Sequence, residues 1–313
     1  MNSILNVVDV TKRYDQQTAL DHVSISIPEN SVFGLLGPNG AGKTSLIRII
    51  NQITAPDSGS ILFQNEPLSP KHAELIGYLP EERGLYKKME IGEQAIYLAR
   101  LKGLSRAEAV KRLKSWFEKF EIKGWWRKKV EDLSKGMQQK VQFIVTVIHK
   151  PRLLILDEPF TGFDPINAQL IRDELLEMKA NGTTIILSTH RLESVEELCT
   201  HICLINKSKS VLEGSVKDIR KSFSSRTYEV LFEASGQPYE FDMNDSQVEL
   251  LQEENHETMI TYRIRLKSGF SSNELLSSFI KKGTIHGFRE MIPSMNEIFI
   301  QSVNTASQNQ LHG

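Results

Sequence analysis

The chain reads as an α/β domain built on a mainly parallel sheet, followed by a small α+β domain. Three observations carry that expectation. The strand-like run Ser31-Val-Phe-Gly-Leu-Leu36 passes through a Gly-rich turn into a segment whose apolar residues recur at helical spacing. A second run, Leu153-Leu-Ile-Leu156, is apolar throughout and leads straight into Asp157 and Glu158. Strand-like and helix-like segments then alternate to about residue 220, as they do when helices cross between parallel strands.

The elements follow in order. Residues 4–10 and 23–27 cluster β-branched side chains as strands do. After the Gly-rich turn, Leu46, Ile49, Ile50 and Ile53 share a helix face. Residues 93–121 read as two helices broken at Gly103-Leu-Ser105, with Ser105 capping the second. Trp116, Phe117 and Phe120 on that helix are assigned to core or interface. From Leu133 come a turn, a helix over about 137–149, and the strand 153–156. A helix over about 166–180 and the strand 183–188 follow. Residues 221–226, Lys-Ser-Phe-Ser-Ser-Arg, read as a linker. Beyond them lie strands at 228–232 and 259–266, a helix over about 272–282 and a strand near 284–291. The expected division is a domain at 1–222 with a helical insert at about 86–150, a small α+β domain at 223–304, and a polar disordered tail at 305–313.

Bulk properties exclude several classes. Lys and Arg number 38 against 39 Asp and Glu, so the basic excess of a typical nucleic-acid binder is missing and no nucleic-acid partner is expected. No apolar stretch approaches the roughly 18 residues of a membrane span, and the first residues lack the apolar core of a signal peptide. The expected location is therefore cytoplasmic, with any membrane link made through a partner. Cys199 and Cys203 flank His201, but the four-ligand spacing of a zinc site is missing, so both read as isolated thiols in a reducing compartment.

The chemistry is concentrated in a few short segments. Gly37-Pro-Asn-Gly-Ala-Gly-Lys-Thr44 matches the phosphate-binding loop pattern, and Ser45 follows it. Its glycines let successive backbone N–H groups of Gly37, Asn39, Gly40, Ala41 and Gly42 turn toward phosphate oxygens, with Pro38, which has no N–H, shaping the same loop. Lys43 is placed to reach the β- and γ-phosphates, Thr44 to ligate Mg²⁺, and the following helix adds its positive end. A buried strand ending in Asp157 and Glu158 puts both carboxylates at the sheet edge where nucleotides bind. Asp157 is expected to hold Mg²⁺ through water, and Glu158 to act as general base on the attacking water.

These pieces resemble the ABC ATPases, and the remaining motifs extend the match. Leu133-Ser-Lys-Gly-Met-Gln138 resembles the family signature loop, which faces the γ-phosphate held by an opposite subunit; Ser134 and Gly136 fit that role, while Lys135 and Met137 depart from it. Thr161-Gly-Phe-Asp-Pro165 is similar to the family's D-loop and supplies Asp164. Ser188-Thr-His190 resembles the switch region whose His contacts the γ-phosphate, and Tyr14 matches the aromatic that stacks on adenine. In Ile76-Gly-Tyr-Leu-Pro-Glu-Glu-Arg83 the family's usual Gln is replaced by Glu81. A carboxylate there is a stronger Mg²⁺ ligand and adds negative charge beside the phosphates. The stretch on to Tyr86 resembles an export-type branch related to sodium-extrusion systems, and the C-terminal extension resembles that branch's small domain.

The resemblance implies an ATP-hydrolysing motor with ATP and Mg²⁺ as ligands. It also implies a second nucleotide-binding copy, most simply a homodimer, and a membrane-spanning permease that holds the chain at the inner face of the membrane. The permease contact falls in the insert, on Tyr86–Met89 and the helices after it; the Trp125-Trp126 pair reads equally as contact or as core. An importer ATPase and a soluble ABC protein acting on ribosomes or nucleic acid are the rival readings. One phosphate loop, balanced charge and no long heptad run oppose the second of these.

Overall fold

Strands that are apolar on both faces must be covered on both faces, and this chain contains four of them. The computed structural model describes residues 2–82, 84–190, 192–234, 247–256 and 259–309. Arg83, in the segment carrying Glu81, lies outside the described residues, as do residues 310–313 of the expected tail. The first elements are β1 (Ser3–Tyr14), β2 (Gln17–Pro28), β3 (Val32–Leu36), α1 (Lys43–Ile50), β4 (Ser58–Phe63), β5 (Glu66–Pro67) and β6 (Ile76–Leu79). Then come α2 (Ile91–Leu101), α3 (Arg106–Lys119), α4 (Lys135–Val147), β7 (Leu153–Asp157), α5 (Pro165–Ala180), β8 (Thr184–Thr189) and α6 (Leu192–Leu198). After these lie β9 (His201–Asn206), β10 (Lys209–Ser215), α7 (Val216–Ser222) and β11 (Thr227–Ala234). The last are β12 (Val248–His256), β13 (Met259–Leu266), α8 (Ser272–Ile280), β14 (Gly283–Glu290) and α9 (Met295–Asn309).

The central sheet has the order β10-β9-β3-β8-β7-β6. Its β3, β6, β7, β8 and β9 pair in parallel, and β10 joins antiparallel at one edge. β3, β7 and β8 are buried at every residue and β9 at all but its first. A second, antiparallel sheet has the order β2-β1-β4-β5. Its inward residues Leu5, Val7, Leu20, Ile25 and Phe63 share a core with Ile47 and Ile50 of α1 and with Ile155 and Ile186 of the central sheet. The parallel strands all end on one side, so the segments leaving β3, β6, β7 and β8 emerge at a common edge.

The helical insert is organised as the sequence predicts, with small shifts. The Ser105 hydroxyl accepts the Glu108 N–H and starts α3. Phe117 and Phe120 are buried, and Trp116 packs its ring against Phe120 at 5.5 Å and Phe143 at 6.2 Å. Trp126 stands edge-on to Phe117 at 5.4 Å, and a Cβ on Gly92 would meet its indole at 2.6 Å. Packing is thus the observed role of Trp126. Ser134 caps α4, which begins at Lys135 rather than near 137.

Other expectations need correction. α1 ends at Ile50: Gln52 turns to φ 56°, and Ile53 leaves the helix face and stands 61% exposed. Cys199 follows α6 and Cys203 lies within β9. Both thiols are buried, which pushes Cys199 up to about 12 and Cys203 higher still. Among the described residues no His, Cys, Asp and Glu side chains group as a metal site. The tail expected to be disordered from Thr305 continues α9 as far as Asn309. No helix among the described residues is long and apolar enough to cross a membrane.

The chain divides into two compact units, residues 1–216 with 302–313 and residues 217–301. In the second, the antiparallel sheet β12-β13-β11-β14 is covered on one face by α8. Phe279 of α8 is fully buried and meets Phe232 at 5.2 Å and Tyr262 at 5.5 Å. Phe279→Ala should therefore destabilise this unit by about 3–5 kcal/mol. Far-UV circular dichroism during denaturant titration measures the loss. The three tryptophans, Trp116, Trp125 and Trp126, lie in the other unit and report its unfolding separately.

Candidate functional site

Four neighbouring strand ends build one cavity. The loop after β3, the segment after β6, the last residue of β7 with the one following, and the residue after β8 all reach it. It has a volume of about 450 Å³ and is lined by Asn39, Gly40, Ala41, Gly42, Lys43, Thr44, Ser45, Glu81, Asp157, Glu158 and His190. Tyr14, Gln17 and Ala19 close it from the β1–β2 hairpin.

The loop's shape depends on its glycines. A Cβ on Gly42, which has φ 117°, would meet the Ala19 carbonyl oxygen at 2.3 Å, whereas one on Gly40 would project into open space. The peptide N–H of Ala41 donates to the Pro38 carbonyl at 3.2 Å, which folds the loop back on itself. Lys43 opens α1 and is buried; its Nζ donates to the Gly37 carbonyl at 2.6 Å and the Pro38 carbonyl at 3.1 Å. Burial lowers the pKa of this ammonium, while the charges of Glu158, Asp157 and Glu81 oppose the shift. Thr44 and Ser45 follow on the first turn of α1, where backbone N–H groups have no helical acceptor.

Asp157 ends β7 opposite Ser188 of β8 and is 5% exposed. Burial raises its carboxyl above the usual range; the Glu81 and Glu158 charges add to this, and the Ser188 hydroxyl and Lys43 oppose it. Glu158 has φ 49°, left-handed backbone that costs a non-glycine residue about 1–2 kcal/mol. Neighbouring groups hold it there. Its N–H donates to the Ser188 carbonyl at 2.9 Å, and its Oε1 accepts the His190 N–H at 2.9 Å and lies 2.7 Å from His190 Nδ1. Thr189 Oγ1 donates to Oε2 at 3.3 Å. Such a carboxylate, aimed into a cavity and oriented by an imidazole, is equipped to accept a proton.

The remaining predicted residues fall into two groups. Glu81 is exposed and lines the cavity, and the Gln142 amide holds its loop by donating to the Glu82 carbonyl at 3.2 Å. Tyr14, 41% exposed, stands at the rim with Lys12 Nζ 5.4 Å from its ring centre. Ser134, Gly136 and Asp164 lie outside the cavity. Ser134 caps α4 by accepting the Met137 N–H at 3.3 Å, and Asp164 caps α5 by accepting the Asn167 N–H at 3.0 Å. Gln139 of α4 donates to the Thr161 carbonyl, tying the two segments together. The sequence reading missed Gln17, Ala19 and Thr189. The first two are visible only once the β1–β2 hairpin folds over the loop, and Thr189 only as the neighbour of a recognised His.

A glycine-rich phosphate loop between a buried strand and a helix, beside carboxylates on neighbouring strand ends, defines a P-loop nucleotide-binding domain. Residues 20–161 match the family model described as ABC transporter, and 214–303 match that of the ATP-binding protein DrrA1-3-like C-terminal domain. The chain is 41% identical over 307 residues to an uncharacterized ABC transporter ATP-binding protein, YhaQ, of Bacillus subtilis, covering 96% of this chain and 98% of that one. It is 33% identical over 222 residues to the Nod factor export ATP-binding protein I of Cupriavidus metallidurans, covering 70% and 73%. A solved ATP-binding subunit of an ABC transporter superposes with a TM-score of 0.67 at 31% identity, covering 71% of this chain and 93% of that one. The chain belongs to the ABC transporter ATP-binding protein family. It is an ATP-binding subunit of that kind, from a family that hydrolyses ATP to power transport.

The raised Asp157 carboxyl has a consequence for stability. A folded pKa above the unfolded value means that the folded state disfavours ionisation, so stability falls as pH rises past 3.8 toward the raised value. At neutral pH the penalty is fully present. Asp157→Asn should therefore raise the stability of the chain without ligand at neutral pH, read as a higher melting temperature. Calorimetry without nucleotide checks this, and the gain should shrink at pH 4.

Proposed function

We propose that this chain is the ATP-hydrolysing subunit of an exporter, working as a pair of nucleotide-binding copies beneath a membrane-spanning permease. The observation that carries the catalytic part is the convergence of Lys43, Thr44, Glu81, Asp157, Glu158 and His190 on one cavity. Tyr14 lies against the adenine. The backbone of Gly37–Ser45 wraps the phosphates, and Lys43 exchanges its two carbonyl partners for the β- and γ-phosphate oxygens.

Thr44, Asp157 and Glu81 are the residues that would hold Mg²⁺. They offer hard oxygen donors to the same cavity, and no described cluster is large enough to enclose an ion by itself. That fits a metal that keeps waters and shares its ligands with substrate phosphates. When bound, Mg²⁺ neutralises phosphate charge and orients the tail. Glu158 takes a proton from a water whose oxygen bonds to the γ-phosphorus, while the bond to the β-bridging oxygen breaks and ADP departs. His190 fixes the Glu158 carboxylate and meets the γ-phosphate.

Ser134 and Gly136, remote from their own chain's cavity, act on the γ-phosphate held by the second copy, and Asp164 lies in the facing loop. Closing on ATP and reopening after hydrolysis drives the permease. Tyr86 before α2, and Tyr97 and Leu101 on it, are large apolar side chains left exposed, which supports a permease contact there. The likeness to a Nod factor export ATP-binding protein supports outward transport. The chain then sits at the inner face of the membrane, in the cytoplasm, held by its partner.

Glu158→Gln keeps the side chain's size but removes the proton acceptor. Turnover should fall by about 10³-fold or more, against the 10²–10⁴ usually supplied by such a base. ATP affinity should change little, and light scattering should detect an ATP-dependent dimer. Turnover within about tenfold of the unmodified protein would assign the base elsewhere, since loss of a working base costs far more.

A further inference from the structure

The cavity is electrostatically unlike a simple anion cradle. Glu81, Asp157 and Glu158 all line it, and Lys43 is the one Lys or Arg among the described residues that does. The three carboxylates lie within electrostatic reach of one another. Each acts on the Lys43 ammonium, and the charges of Glu81 and Glu158 both act on Asp157.

The three differ in how they are held. Asp157 is buried in the sheet, and Glu158 is engaged by Thr189 and His190. Glu81 is exposed to the cavity and makes no hydrogen bond or ion pair with the described residues. Its carboxyl group is therefore available to whatever enters.

That charge changes its effect with the state of the ligand. A bare triphosphate tail is repelled by a nearby carboxylate, strongly so in a partly desolvated cleft. A triphosphate that carries a divalent cation presents a carboxylate ligand site instead, and the same charge attracts. A neutral amide of equal size does neither to a comparable degree.

We propose that Glu81 makes nucleotide binding conditional on the divalent cation, so that the site admits the metal–ATP complex and rejects ATP alone. The inference rests on the nucleotide-site reading above and adds a specificity role to Glu81. It predicts opposite effects of Glu81→Gln on the two ligands: metal-free nucleotide binds more tightly, and the metal complex binds no better or more weakly.

Titration calorimetry with a non-hydrolysable ATP analogue, in Mg²⁺ and in EDTA, tests this on the full chain. The ratio of the Kd without metal to the Kd with metal should fall by about tenfold or more in Glu81→Gln, equivalent to about 1.4 kcal/mol. An unchanged ratio would overturn the role of Glu81 while leaving the nucleotide site standing. Failure of the unmodified chain to bind the analogue even in Mg²⁺ would instead remove the nucleotide reading, and this inference with it.

Discussion

The contact between Glu158 and the two residues after β8's Ser188 organises the site. Parallel pairing of β7 with β8 sets Asp157 opposite Ser188, so the chain leaves both strands at the same height. Glu158 then turns to φ 49°, a conformation that would relax if nothing held it. The His190 N–H and imidazole grip one carboxylate oxygen and the Thr189 hydroxyl the other. The hydrogen bonds offset the backbone strain, and the result is a carboxylate with one direction to point. A buried sheet of apolar strands makes this possible, because only a rigid floor keeps two loop residues in register to within a hydrogen bond.

The same sheet order explains why the site is assembled from distant parts of the sequence. β3 lies between β9 and β8, and β7 between β8 and β6, so the glycine-rich loop, His190, Asp157 with Glu158, and Glu81 leave adjacent strands. Lys43 and Asp157 are destabilised by the burial this requires: the ammonium is pushed down and the carboxyl up. On the proposed reading, a phosphate tail and its cation would relieve both. The cavity thus gathers one buried ammonium and three carboxylates, a charge arrangement that supports the proposed reading of a polyanion carrying a metal.

Much of this was legible in the sequence, for identifiable reasons. Buried parallel strands such as Leu153–Asp157 are apolar without interruption, and the phosphate loop needs fixed residue types at fixed spacing, so both stand out. Ser105 and Ser134 were read from cap chemistry or from a motif, and both are caps. What escaped notice depends on tertiary context. β12, Val-Glu-Leu-Leu-Gln-Glu-Glu-Asn-His, is an acidic edge strand with only Val248 and Leu250 turned to the core, so its apolar signal is faint. Ile53 kept the helical spacing of α1, but Gln52 had already turned the chain away. Ala19 and Gln17 carry no motif and join the cavity only because a hairpin folds over it.

The central claim is that this cavity powers a membrane partner, and one purification tests it most directly. The Glu158→Gln chain, affinity-purified with ATP from its native membranes, should bring with it a polytopic membrane protein. It should release that protein when ATP is withdrawn if the closed state is the one that grips. Recovery with ribosomes or nucleic acid, and with no membrane-spanning protein, would contradict the transport account and leave only an ATPase.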